Sequence, residues 1–281
     1  MAEQLNFETT KNEPRSFDNL VELWGHKLGF DNHDQLLAFR DKAAAEYTEL
    51  RHHNFQHAID VAWVAMELAD LCENKGDPVN RKALFAASLW HDAGYHQDFM
   101  SKGFDTAEAF SVSLFKTAVS DFTDVFSERD IEVVEEAILA TQVGVVPITR
   151  EQRIMVRADL DNVGSDFESR FFRTTISLIR EAIKTKRKLG QEFDIAKFSK
   201  DNIDALAMYL LNNLSLGRYD EDYPAWLARA QANVEDLSVF FAKYRDIDPE
   251  EFIRSIGGGA VTKFFGKTPL GAKNESSANK D

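Results

Sequence analysis

Apolar residues recur every three or four positions along most of the chain, the spacing of one face of an α-helix. In FQHAIDVAWVAMELADLCENKG, residues 55–76, this spacing predicts a helix that Gly76 ends. It predicts further helices over about 17–29, 33–50, 79–91, 104–119, 128–142, 149–163, 166–189, 194–214, 222–244 and 248–255. No stretch alternates as a half-buried strand does, so we predict an all-α fold of around ten helices.

The composition is that of a globular protein with a large core: 281 residues, of which 44% are apolar. We predict a single domain over 1–255 and a flexible tail over 256–281, because the tail is rich in Gly, Ser, Asn and Lys. The polar N-terminal residues and the lack of a run of about 20 apolar residues lead us to expect a cytoplasmic protein without a membrane partner. A single cysteine, Cys72, excludes an internal disulfide.

The formal net charge of −14 argues against a nucleic-acid partner, which would require a basic face. An anionic small molecule would also be repelled by the overall field unless a local cation attracted it. A bound dication would supply that charge.

Five of the seven histidines cluster in two short segments, RHHNFQH at 51–57 and HDAGYH at 91–96. His57 lies at the start of one predicted helix, and the pair His91-Asp92 lies at the end of the next. Antiparallel helices joined by a short loop bring such ends together. Asp159 follows an apolar run on its helix face, where a buried carboxylate needs a partner or a metal, whereas Asp161 is expected to face solvent. An ordinary helix end with two polar residues is the alternative reading of the His-Asp pair.

These residues carry a resemblance. His57, then His91-Asp92, then Asp159 are similar to the ordered H…HD…D pattern of the HD superfamily of metal-dependent phosphohydrolases, over about 53–162. HHNFQHAIDV resembles the HNxxHAxDV segment of cyclic-nucleotide phosphodiesterases, and ADLDN resembles their ADLxN segment. The resemblance implies an HD-domain helical bundle, with its core at about 50–165 and additional N- and C-terminal helices.

The resemblance also implies site roles. A divalent metal, whether Mn, Fe, Co, Ni, Zn or Mg, would be held by His57, His91, Asp92 and Asp159. Asp92 and His53 would be catalytic, with His53 as the proton donor. Arg51 and Lys102 are candidate contacts to the substrate phosphate. The candidates for supporting the metal ligands are Asn54, His96, Glu108 and Asn162.

Two differences from the family limit the reactions that we expect the chain to catalyse. No histidine follows His96, and Tyr95 occupies the position at which one nucleotide-hydrolase subgroup carries a glutamate. The prediction is therefore hydrolysis of a small phosphoester, a nucleotide monoester or diester, by metal-activated water. The alternatives are a regulatory HD protein that binds a metal or nucleotide with little catalysis, and an HD-type di-iron oxygenase, which the histidine count disfavours. Whether Phe-rich surface helices pair two chains into a homodimer is open.

Overall fold

The computed structural model describes residues 15–188, 190–244 and 251, and within them it contains ten α-helices and no strand. The prediction of an all-α fold is confirmed. The helices are α1 (Phe17–Trp24), α2 (His33–Ala45), α3 (Phe55–Glu73), α4 (Arg81–Trp90), α5 (Ala107–Val119), α6 (Glu128–Leu139), α7 (Arg150–Asp159), α8 (Phe172–Lys188), α9 (Ile195–Leu211) and α10 (Tyr223–Tyr244). The predicted tail and all but Glu251 of the predicted last helix lie outside the described residues.

Several helices end earlier than the apolar pattern predicted. The helix predicted over 33–50 ends at Ala45, and the helix predicted over 149–163 ends at Asp159. A 3₁₀ helix, Asp161–Gly164, follows α7, and a π-helical turn, Phe167–Phe171, precedes α8. The apolar spacing continues through these irregular turns because their side chains still pack inward, so the pattern overran the true ends.

Side-chain caps begin the helices that carry the site. The Asn54 Oδ1 accepts a hydrogen bond from the His57 backbone N–H at 3.1 Å, which caps α3. Asn80 caps α4 in the same way through the Ala83 N–H, at 3.1 Å. At α7, Thr149 and Gln152 cap each other reciprocally. Each cap satisfies backbone donors that the first helical turn leaves free.

Two apolar clusters form the interior, and α7 contributes to both. Met155 and Ala158 pack in the first cluster with α1 to α6, whereas Val156 and Leu160 pack in the second with α8 to α10. Asp159, the last residue of α7, therefore lies where the two clusters adjoin. The prediction of one domain over 1–255 remains a prediction.

Helices of the described part of the chain are either too short or too polar to cross a membrane.

Candidate metal centre

Three helix ends bring two imidazoles and two carboxylates together. His57 Nε2 lies 3.1 Å from Asp159 Oδ1 and 3.6 Å from Asp92 Oδ2. His91 Nε2 lies 3.1 Å from Asp92 Oδ2 and 3.4 Å from Asp159 Oδ1. His57, His91 and Asp159 each offer one ligand atom within 4.8 Å of the other two. The structure thus gathers the four residues that the sequence proposed as ligands, which come from the ends of three helices and lie up to 102 positions apart in the chain.

His91 is aimed into this cluster by its own helix. Its ring is buried, and Nδ1 lies 2.9 Å from the carbonyl oxygen of Ser88, to which it donates. In the neutral ring, that hydrogen bond leaves the lone pair on Nε2. Among the described residues, the buried Nε2 lies close to Asp92 and Asp159 but meets the geometry of a hydrogen bond with neither. A buried imidazole nitrogen without a partner, facing two carboxylates, fits a metal ligand.

The charges of the cluster call for a cation. Burial alone would lower the pKa of His91, but the Asp92 and Asp159 carboxylates outweigh it and hold that pKa well above the usual value. Burial would likewise raise the pKa of Asp92, and His91 and His53 overcome it and lower that pKa. The Asp92 carboxylate is therefore ionised and favours the protonated form of His91. A dication bound between them would supply this positive charge instead.

His53 lies beside the cluster with its ring held on two sides. Its Nδ1 is hydrogen-bonded to Glu181 Oε1 on α8, and its ring stacks on Tyr95 with centroids 3.7 Å apart and planes 18° apart. Glu181 Oε2 also accepts hydrogen bonds from the backbone N–H groups of His52, at 3.0 Å, and His53, at 3.3 Å. Burial would lower the pKa of His53, but Asp92 and Glu181 raise it above its usual value. The arrangement favours a protonated, oriented imidazole.

Glu181 was not found from the sequence. It is buried, with 6% of its surface exposed, and its three hydrogen bonds within the described residues go to His52 and His53. A glutamate within a helix normally faces solvent, and only the packing of α8 against the segment before α3 buries this one. No local pattern marks such a residue.

A cleft of about 250 Å³ opens beside the centre, between the start of α3, the end of α7 and the turn into α8. His57 and Asp159 form part of its wall, and three other proposed residues, Arg51, Asn54 and Asn162, also line it. We call this space the lateral cleft.

Three further candidates, Lys102, His96 and Glu108, do not line the lateral cleft. Lys102 lies outside the lateral cleft, where its Nζ donates to Gln97 Oε1 at 2.5 Å and lies 4.7 Å from the centre of the Phe110 ring. His96 is exposed and does not join the ligand cluster. Glu108, in the first turn of α5, is partly buried, and burial followed by the Asp92 charge raises its pKa. This places Glu108 within electrostatic reach of the centre.

Asp161 is less exposed to solvent than the sequence led us to expect. Its side chain is only 25% exposed, and its Oδ2 pairs with Arg170 at 2.8 Å and with Arg15 at 3.5 Å. The turn after α7 is 3₁₀ rather than α-helical, so the 100° step per residue on which the expectation rested does not apply there.

Comparison with known proteins gives the class of fold. No protein-family model matches the chain, and no curated protein matches it. Among solved structures, it is similar to the phosphodiesterase domain of a rhodopsin phosphodiesterase from Salpingoeca rosetta, with a TM-score of 0.63 and 16% identity over 87% of this chain and 97% of that one. A second structure of that domain, from the RhoPDE fusion protein of this choanoflagellate, gives 0.60 and 15% identity, covering 86% and 100% of the two chains.

A third solved structure, LmjPDEB1 in complex with IBMX, has a TM-score of 0.55 and 15% identity, covering 80% of this chain and 85% of that one. The chain therefore has the all-α fold of phosphodiesterase domains. The HD and phosphodiesterase-like fold that the short motifs predicted is confirmed.

Proposed function

We propose that this chain is a metal-dependent phosphohydrolase that cleaves a small phosphoester, a nucleotide monoester or diester. One observation carries the proposal: His57, His91 and Asp159 converge within 4.8 Å, and the buried Nε2 of His91 has no hydrogen-bond partner among the described residues. The likeness to phosphodiesterase domains supports a phosphoester hydrolase as the class of activity.

The proposed metal ligands are His57, His91, Asp92 and Asp159. Two imidazole nitrogens with carboxylate oxygens suit a first-row dication such as Mn, Fe, Co, Ni or Zn, and Mg less well. A dication held there would supply a Lewis acid for the phosphoryl oxygen and lower the pKa of a bound water. The identity of the metal is left to experiment.

His53 is the proposed proton donor to the leaving oxygen. Glu181 holds its Nδ1, which leaves the other ring nitrogen, Nε2, to pass a proton to substrate. Glu181 and Asp92 favour the protonated ring, and the stacked Tyr95 restricts its rotation. Glu181 and Tyr95 act through His53 and are therefore positioning residues. Asp92 has two proposed roles, as a metal ligand and as the carboxylate that favours protonated His53.

The other proposed residues take more limited roles. Asn54 supports His57 by capping α3, since its amide is committed to the His57 N–H and to the Leu50 carbonyl. Arg51 is the better placed of the two proposed phosphate contacts, because it lines the lateral cleft whereas Lys102 is paired with Gln97. Glu108 is proposed to act on Asp92 through its charge. A role for His96 has no contact to support it.

The test is turnover by the full chain after metal removal and reloading. An aryl phosphomonoester, an aryl phosphodiester and a panel of nucleotides would be assayed with Mn, Co, Zn and Mg. We expect metal-dependent release of alcohol or nucleoside that is lost in His91→Ala and Asp92→Asn. Asp98→Asn, an exposed carboxylate that accepts a hydrogen bond from Ser101 N, is the control and should keep the activity.

Two outcomes would replace the proposal. A folded chain that binds metal but hydrolyses nothing would favour a regulatory binding protein. Two bound iron ions together with oxygen uptake would favour an oxygenase.

A further inference from the structure

The lateral cleft is lined mainly by polar and charged side chains. Its apolar lining residues are the small side chains Val61 and Ala158, and among the described residues no Phe, Tyr or Trp lines it. An aromatic base or an acyl chain would gain little there, because binding of such groups draws on apolar and aromatic surface. The cleft therefore suits a charged or strongly hydrogen-bonding part of a ligand.

Several lining side chains have hydrogen-bonding groups to spare. Within the described residues, Arg51 has no carboxylate partner, and the Asn162 amide and the Thr174 hydroxyl make no hydrogen bond. Other lining residues are already committed: Asn54 caps α3, and Gln56 donates to Asp60 at 3.1 Å. The uncommitted groups include five N–H donors of one guanidinium, the amide donors of Asn162 and one hydroxyl.

A second guanidinium lies in the same wall. Arg170 pairs with Asp161 at 2.8 Å, and Arg15 shares that carboxylate at 3.5 Å. Arg15 also lies 3.9 Å from Glu67, and Arg170 pairs with Asp161 through one nitrogen, so Arg170 keeps further N–H donors for another anion. Arg51 and Arg170 thus lie in a cleft that also contains the carboxylates Asp60, Asp159 and Asp161. Asp161 is paired with Arg170 and Asp159 is a proposed metal ligand, which leaves Arg51 without a carboxylate partner among the described residues.

We propose that the lateral cleft binds a second phosphate group of the substrate, distinct from the one that is cleaved. This inference rests on the proposed function and specifies its substrate class: a small organic bisphosphate or diphosphate, such as a nucleoside bisphosphate. The scissile group would lie at His57, His91, Asp92 and Asp159, and the second phosphate would be held by Arg51 and Arg170, with Thr174 and Asn162 as further donors. Guanidinium groups suit this task because they recognise phosphate oxygens in pairs.

Direct binding tests the inference without turnover. Calorimetry on the full chain in EDTA would compare adenosine 5′-monophosphate with adenosine 5′-diphosphate and adenosine 3′,5′-bisphosphate. We expect the chain to bind at least one of the two doubly phosphorylated nucleotides about tenfold more tightly than the monophosphate. Arg51→Gln and Arg170→Gln should each reduce that preference, and together they should abolish it, while Arg51→Lys should retain part of it.

Arg173→Gln is the matched control, an exposed arginine on α8 that does not line the cleft, and it should leave the preference intact. Circular dichroism and thermal melting would show that each variant is folded. Equal affinity for mono- and doubly phosphorylated nucleotides would overturn the inference, as would a preference that survives the double substitution.

Turnover separates this inference from the proposed function. With metal restored, the same preference in kcat/KM would support both. A binding preference that depends on Arg51 and Arg170, without hydrolysis of any nucleotide, would support the cleft assignment and overturn the hydrolase. Hydrolysis without discrimination between the nucleotides would overturn the cleft assignment alone.

Discussion

The His53 imidazole and the Glu181 carboxylate are hydrogen-bonded through Nδ1 and Oε1 although 128 positions separate them in the chain. Through this contact α8, which packs in the second apolar cluster, orients the residue proposed to donate a proton beside the proposed metal ligands from α3 and α4. Glu181 in turn has a lowered pKa, since its hydrogen bond and charge interaction with His53 outweigh the effect of burial. Each partner therefore favours the charged form of the other.

Replacing Glu181 by Gln keeps the shape of the side chain and removes its charge. The pKa of His53 should fall, because Glu181 is one of the groups that raise it against burial. Activity that needs protonated His53 declines as pH rises through this pKa, so the alkaline limb of the kcat profile should move to lower pH. The profile and the His53 ring resonances in NMR spectra would report the change. Glu168→Gln, an exposed glutamate, is the control, and an unchanged limb in Glu181→Gln would contradict the role.

The His53–Glu181 pair also predicts the direction in which stability changes with pH. Because the folded pKa of His53 is raised, its contribution to stability is fully present below the unfolded value of about 6.5 and is lost as pH rises through the folded pKa. The difference in Tm between wild type and Glu181→Gln should therefore shrink with rising pH across that window, as thermal melts at several pH values would show. A difference in Tm that grew with rising pH would contradict this prediction.

The helices were predictable because helix formation depends on short-range order, whereas the ligand set stays a prediction. Apolar residues at helical spacing mark the buried faces, and residues such as Asn54 and Thr149 mark where α3 and α7 begin. His57 and the His91-Asp92 pair lie next to helix ends, whose mutual position follows from the short connection between α3 and α4. A motif of separated fragments could therefore indicate one site.

Contacts made by the second cluster could not be predicted in the same way. The partner of His53 is a glutamate without a local signal, and the partners of Asp161 are arginines at positions 15 and 170. Such pairs depend on how α8 and the turn before it lie against α3 and α7. Hydrophobic periodicity gives the buried face of α8 but not its neighbours.

Metal affinity should distinguish Asp159 from Asp161, two carboxylates at the end of α7. Asp159→Asn removes a proposed ligand charge and should weaken binding of Mn or Co by more than about 100-fold. Asp161 pairs with Arg170 instead, so Asp161→Asn should leave the affinity within a few-fold. Calorimetry and elemental analysis after gel filtration would measure both. The rise in Tm on adding metal should disappear only in Asp159→Asn, and equal losses in the two variants would argue against this ligand set.

Gly94, two residues after Asp92, is expected to be intolerant of any side chain. Its φ of +73° disfavours other residues, and a Cβ there would lie 2.6 Å from a Phe110 ring carbon and 2.7 Å from Leu114 Cδ1. Gly94→Ala should lower the free energy of unfolding by about 2–4 kcal/mol, from left-handed strain and overpacking together. Urea titration would measure the loss.

Gly103 provides the control for this strain. Its φ is +87°, and a Cβ would meet nothing within 4 Å, so Gly103→Ala should cost only the conformational part, about 1–2 kcal/mol. Equal costs for the two alanine variants would show that the packing of Phe110 and Leu114 against Gly94 yields easily.

The buried pair Arg157–Asp220 should be one of the larger single contributions to the stability of α7. Asp220 Oδ2 accepts a hydrogen bond from Arg157 and, at 3.3 Å, from the Leu216 N–H, while the guanidinium lies 4.8 Å from the Trp226 ring centre and 5.0 Å from that of Tyr223. Asp220→Ala would leave a buried cation without its partner and should cost about 3–5 kcal/mol in urea titrations.

Removing both charges tests whether the loss in Asp220→Ala comes from the unpaired charge of Arg157 or from lost packing. Arg157→Met combined with Asp220→Leu should restore most of the loss, because the cost of Asp220→Ala arises from the unpaired charge rather than from lost packing. Glu221→Ala, at an exposed neighbouring position, should change stability by less than about 0.5 kcal/mol. If the double variant were no more stable than Asp220→Ala, the pair would be contributing through its geometry, which holds the end of α7 and hence Asp159 in place.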